Sequence, residues 1–127
     1  VSLTVVSLFA GCGGSSCGYR AAGFTGRLAV EYDAAAAETY RANFPGVPTF
    51  ERDVRELTGD QALGLAGVKA EELDVMDGSP PCQGFSLSGK RKWEDPRNGL
   101  WREYVRLLGA FKPKACVFEN VRGLVVG

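Results

Sequence analysis

Histidine is missing from this chain of 127 residues, methionine occurs once and tryptophan twice. Without histidine, no histidine-activated nucleophile can be assembled from these residues alone. The four cysteines (Cys12, Cys17, Cys82, Cys116) show no C-x-x-C spacing. With no imidazole to complement them, a structural zinc site is not expected, nor any other metal. No apolar run is long enough to span a bilayer, and Val1 to Ala10 lacks the basic flank of a signal peptide. A cytoplasmic domain with reduced thiols and no membrane contact is therefore expected. Net charge is also absent, at zero, which counts against a uniformly basic nucleic-acid binder.

What is present is an ordinary globular composition, 45% apolar and 24% charged, in a chain long enough for one domain with its own core. The zero balance hides an asymmetry. Residues 1–85 hold six basic and eleven acidic groups, a balance of −5, whereas residues 86–106 hold six basic and three acidic ones, a balance of +3. Attraction for phosphate, if any, is concentrated after Cys82; a solvated basic loop is the plainer reading.

Along the chain, short β-branched runs alternate with helical patterns. Thr4 to Phe9 reads as a buried strand ending at a glycine turn, followed by a helix over about Ser15 to Ala22 that Gly23 stops. Arg27 to Tyr32 reads as a second strand. Asp33 then caps a helix with Ala37, Tyr40 and Phe44 on one face, ended by Pro45-Gly46. A short strand near Pro48 to Glu51 precedes a weak helix or loop. Leu73 to Asp77 reads as the fourth strand and residues 79–97 as a long loop. Leu100, Tyr104, Leu107, Leu108 and Phe111 form one apolar helical face up to Pro113, and Ala115 to Glu119 is a fifth strand. This alternation predicts an α/β, doubly wound, mostly parallel sheet, with ligands beyond the carboxyl ends of its strands. The glycine turn, Glu31, Cys82 and Glu119 would all fall at that edge.

Five places along the chain carry chemistry. Phe9 to Gly14, F-A-G-C-G-G, would let backbone N–H groups approach a ligand at a helix start. Glu31, 17 residues after Gly14, is placed to accept both hydroxyls of a ribose. Asp53 would either accept from an adenine amino group or cap a helix. In D-G-S-P-P-C-Q-G-F-S, from Asp77 to Ser86, the two prolines stiffen the approach to Cys82, which suits a nucleophile. Cys12, Cys17 and Cys116 read instead as buried small hydrophobes. Glu119, in F-E-N-V, is expected at a buried strand end with a raised pKa, ready to donate a proton; a structural carboxylate is the alternative.

Taken together these segments resemble the cytosine-5 DNA methyltransferases over essentially the whole chain. S-L-F-A-G-C-G-G looks like that family's cofactor loop, with Phe9, Gly11, Cys12, Gly13 and Gly14. V-E-Y-D is similar to the segment that grips ribose with Glu31 and stacks adenine on Tyr32, and D-V-R-E-L to the adenine contact at Asp53 and Val54. G-S-P-P-C-Q-G-F-S matches the nucleophile motif with Pro81 and Cys82, and F-E-N-V the motif whose Glu119 holds the cytosine ring. The resemblance implies a Rossmann-like fold and S-adenosylmethionine as cofactor. It also implies double-stranded DNA as partner, with the target base flipped out and Gln83, Ser86, Ser88 and Lys90 in a loop closing over it. A bacterial, restriction-linked setting near the nucleoid would follow.

Two departures are small: Ser7 where the family often has Asp, and Ser79 where Gly is common. A larger one is that residues 1–127 would form only a partial catalytic domain without a target-recognition region. The remainder would lie on a second polypeptide, or the gene is truncated. Competing readings are a tRNA cytosine methyltransferase, a non-catalytic subunit, and a nucleotide-dependent oxidoreductase. The last is weakened because G-x-G-x-x-G is broken at Ser16.

Overall fold

Val5, Val6 and Leu8 form an apolar run that is buried on both faces, as suits a strand with neighbours on either edge. In a computed structural model this run lies in β1 (Thr4–Leu8), the middle strand of a five-stranded sheet. The structure describes residues 2–81 and 99–120. The elements that follow are α1 (Gly14–Ala21), β2 (Thr25–Val30), α2 (Ala34–Asn43), β3 (Thr49–Phe50), a 3-10 turn (Val54–Glu56) and α3 (Gly59–Ala66). Then come β4 (Val75–Gly78), α4 (Leu100–Phe111) and β5 (Ala115–Phe118). Strand order is β3-β2-β1-β4-β5, with every pairing parallel. The winding reverses between β1 and β4, which opens a crevice at their carboxyl ends.

Local sequence explains most boundaries. Asp33 caps α2 by accepting the Ala36 N–H at 2.8 Å. Tyr40 and Phe44 are buried with Ala10 and Ala29 on one face of the sheet, and Ala37 of α2 is buried as well. On the other face Leu8, Leu28, Met76 and Leu73 pack with Ala62 and Ala66 of α3 and with Tyr104, Leu107 and Phe111 of α4. Lys112 ends α4 in a left-handed conformation just before Pro113. At the amino ends of the strands, the Asp74 carboxylate accepts the Thr4 N–H at 2.8 Å and the Lys114 ammonium at 2.7 Å, joining β1, β4 and β5. No helix among the described residues is long and apolar enough to cross a membrane.

Several expectations need correction. The second strand begins at Thr25, not Arg27, and stops at Val30, so Glu31 and Tyr32 lie beyond it. The stretch read as a weak helix or loop contains both the 3-10 turn and α3. The latter is closed by a reciprocal capping box between Thr58 and Gln61. Cys12, Cys17 and Cys116 are exposed, not buried. Cys12 sits in the glycine turn, Cys17 is exposed next to the inward-facing Ser16, and Cys116 lies on edge strand β5. Glu119 is exposed for the same reason: it follows β5, all four of whose residues are open to solvent.

Gly13 is one position where only glycine serves. Its φ is +102°, and a Cβ there would come within 2.4 Å of the Phe44 ring. Gly13→Ala is expected to destabilise the fold by roughly 2–4 kcal/mol, combining the left-handed penalty with overpacking. Gly11, with φ +59° but open space around it, should lose only about 1–2 kcal/mol on the same change. Equal shifts of the two urea midpoints would show that the Phe44 contact carries no energy.

Candidate functional site

The crevice at the carboxyl edge of the sheet is a cleft of about 460 Å³. Its walls include Phe9 after β1, Glu31 and Tyr32 after β2, Asp53 and Val54 after β3, and Pro81 after β4. Six residues singled out from sequence thus converge on one cavity. Gly11 joins them through a hydrogen bond to Glu31; Cys12, Gly13 and Gly14 shape the turn but do not line the cleft. Cys82, Gln83, Ser86, Ser88 and Lys90 lie outside the described residues.

The turn that begins the site is tightly wound. Phe9 has φ +53°, a conformation uncommon for a residue with a side chain, followed by left-handed Gly11 and Gly13. No side chain caps α1, whose first N–H groups therefore open onto the glycine turn.

Glu31 is held on both sides. One carboxylate oxygen accepts the Gly11 N–H at 2.8 Å, and the other accepts the Asp33 N–H at 2.8 Å. A carboxylate has about four acceptor positions, so each oxygen keeps one to offer a ligand. Two acceptors fixed side by side match the adjacent hydroxyls of a ribose. Tyr32 follows with 75% of its surface exposed, an aromatic ring left free at the cleft mouth.

Asp53 resolves differently. It caps the 3-10 turn by accepting the Arg55 N–H at 2.9 Å, and the Arg55 guanidinium grips both of its oxygens at 2.6–3.1 Å. Those hydrogen bonds hold its carboxyl below the usual range. With its acceptor positions so occupied, Asp53 has little capacity left for a ligand amino group. Of its two sequence readings, the cap is the one observed.

The two motifs expected to act on the substrate are neighbours in the sheet. The Glu119 N–H donates to Gly78 O at 3.1 Å, and the Asn120 amide donates to Pro80 O at 3.3 Å. The end of β5 is thereby tied to the Ser79–Pro81 segment that leads to Cys82. Beneath them Tyr104 packs so closely on Gly78 that a Cβ there would approach its ring to 2.7 Å. Its hydroxyl lies 3.0 Å from the carbonyls of Met76 and Val117, bridging β4 and β5.

Sequence reasoning missed Leu100, Ser79, Arg52 and Arg55 in the cleft wall. Leu100 belongs to the apolar face of α4, but nothing in that periodicity says its first turn reaches the crevice.

A family model for the C-5 cytosine-specific DNA methylases matches residues 3–126. The type II methyltransferase M.XorII of Xanthomonas oryzae is 45% identical over 122 residues, covering 96% of this chain and 29% of that protein. M.AquIA of Picosynechococcus is 43% identical over 122 residues, covering 95% of this chain and 49% of the relative. Among solved structures, a prophage-encoded E. coli protein assigned as a DNA modification methyltransferase superposes with a TM-score of 0.81 at 37% identity. That match covers 97% of this chain and 33% of that one. Spodoptera frugiperda DNMT2 gives a TM-score of 0.72 at 27% identity over 99% of this chain and 38% of its own. The chain therefore spans less than half the length of each of these proteins.

Proposed function

Because the chain belongs to the C-5 cytosine-specific DNA methylase family, whose members use S-adenosylmethionine as methyl donor, we propose that its cleft binds that cofactor. We further propose that its residues activate cytosine in DNA for methylation at carbon 5. The observation that carries this reading is the Glu31 carboxylate, clamped by Gly11 and Asp33 with one acceptor per oxygen to spare, at the mouth of a cleft with Tyr32 and Phe9 in its wall. Those residues fit a nucleoside: a ribose on Glu31, a purine against Tyr32, and the Phe9–Gly14 turn beside the remainder.

The bound cofactor would supply an electrophilic methyl group; the chain's own part is to make carbon 5 of cytosine nucleophilic enough to receive it. The Cys82 thiolate adds to carbon 6 of the ring, and the Glu119 carboxyl donates to N3, so that electron density accumulates at carbon 5. Departure of the carbon 5 proton afterwards restores the ring double bond and expels the Cys82 thiolate. A base stacked within a duplex cannot reach an enzyme nucleophile, so the target cytosine is flipped out. Gln83, Ser86, Ser88 and Lys90, in the basic stretch after Cys82, contact the DNA backbone around it, which makes binding salt-dependent.

Calorimetric titration of the chain with S-adenosylmethionine, beside Glu31→Ala, tests the cofactor reading. Binding that weakens in the variant supports it; a folded chain that takes up no cofactor counts against it. Labelled methyl uptake by duplex DNA and by tRNA, compared side by side, tests the substrate. Glu119→Gln is expected to slow single-turnover methyl transfer by about 10²–10⁴-fold, the usual worth of a general acid, with the circular dichroism spectrum unchanged. An unaltered single-turnover rate would remove Glu119 from the mechanism.

A further inference from the structure

Asp77 is a buried carboxyl that the proposed chemistry leaves unused. It lies on β4, in register with Ser7 of β1, and is only 6% exposed. Its Oδ2 accepts a hydrogen bond from Ser15 Oγ at 2.7 Å. Ser15 stands in the first turn of α1, immediately after the glycine turn. The side chain of the next residue, Ser16, is bonded among the described residues to the neutral hydroxyls of Ser7 and Tyr40. Among the described residues, the titratable groups facing Asp77 are Tyr19 of α1, Tyr40 of α2, Tyr104 of α4 and Glu119 after β5, none of them a cation.

Burial, and then the Glu119 charge, push the Asp77 carboxyl above its usual range. For an acid whose pKa is higher folded than unfolded, the folded state binds more protons between the two values. Stability therefore falls as pH rises from the ordinary carboxylate range through the raised value, and the whole cost is present above it. Above that raised value the carboxylate costs the fold stability that a neutral residue would not. A group that works against the stability of the fold, and is bonded to the residue just after the cofactor turn, points to a role in the site.

We propose that Asp77 is a positioning residue for the cofactor cleft: by accepting from Ser15 it fixes the start of α1, and with it the glycine turn that carries the Gly11 N–H to Glu31. The inference rests on the reading of that cleft as an S-adenosylmethionine site. Its test is titration of the chain and its variants with S-adenosylmethionine at pH 8, with thermal melts alongside. Ser15→Ala and Asp77→Ala should each weaken binding about tenfold, the worth of one charge-assisted hydrogen bond, and the double variant no further. Asp77→Asn keeps an oxygen that can accept from Ser15, so it should bind within about threefold of wild type while melting higher. Wild-type affinity in Asp77→Ala, losses that multiply in the double variant, or an Asp77→Asn as weak as the alanine change would each overturn the proposal. Should Asp77→Ala fail to fold, exposed Ser15→Ala and Asp77→Asn carry the comparison. A wild-type chain that does not bind S-adenosylmethionine overturns the reading of the cleft, and the role of Asp77 with it.

Discussion

Cys82→Ser is expected to abolish methyl transfer, by on the order of 10⁴-fold or more, with S-adenosylmethionine affinity nearly unchanged. A cysteine thiol is partly ionised at neutral pH and its thiolate is intrinsically nucleophilic, whereas a serine hydroxyl needs a base to remove its proton. In many enzymes histidine supplies that base, and this chain contains none. The substitution thus removes the nucleophile, and no histidine of this chain can rescue the replacement. Labelled methyl incorporation, measured on a protein containing this chain together with the rest of the length its relatives possess, reads the loss. Substantial turnover by the variant would remove Cys82 from the mechanism.

Glu31→Gln is expected to be as damaging to cofactor affinity as Glu31→Ala, a loss of about 100-fold in each case if two hydrogen bonds to a charged acceptor disappear. The usual argument for Gln as a mild substitute is that it keeps the shape of Glu and half of its acceptor capacity. Here both oxygens are already committed to backbone donors, Gly11 on one side and Asp33 on the other. Whichever way an amide is turned, its NH₂ group meets an N–H head on. The side chain would be driven out of its clamp, leaving two backbone donors without partners. Calorimetric titrations of the two variants test this. A Gln variant much closer to wild type than the Ala variant would show that the clamp does not dictate the carboxylate's place.

Where side-chain periodicity is strong, the elements could be read in advance. Ala37, Tyr40 and Phe44 mark the buried face of α2, and Tyr104, Leu107 and Phe111 that of α4, because large apolar groups recur at helical spacing. Helix α3 was obscured because its inward residues are small, Ala62 and Ala66, and glycines punctuate it at 59, 64 and 67. The Thr58–Gln61 capping pair was a signal that could have identified it. The cysteines were misjudged because a residue type's average preference for burial says nothing about its place in a turn or on an edge strand. In the cleft, residues that directly follow strands were legible, since strand ends share one edge of a parallel sheet. Leu100 and Arg55 were not. Their approach depends on which strands lie side by side and on how a guanidinium folds back over two residues, and neither leaves a trace in spacing.

The middle strand of the sheet is also the first to be synthesised. β1 pairs with β2 about twenty residues later, but its other partner, β4, begins only at Val75. At roughly 5–20 residues per second, a ribosome leaves that edge of β1 unpaired for about 4–14 s. During that interval Val5, Val6 and Leu8, which end fully enclosed, present a naked β-edge that any other nascent chain could extend. Closing the sheet requires contacts across about 70 residues, so assembly of the crevice should be slow and late relative to the helices that flank it. The arrangement that places a binding cleft at the centre of the sheet therefore makes that cleft wait for β4, and leaves the newborn chain with an exposed strand edge until β4 arrives.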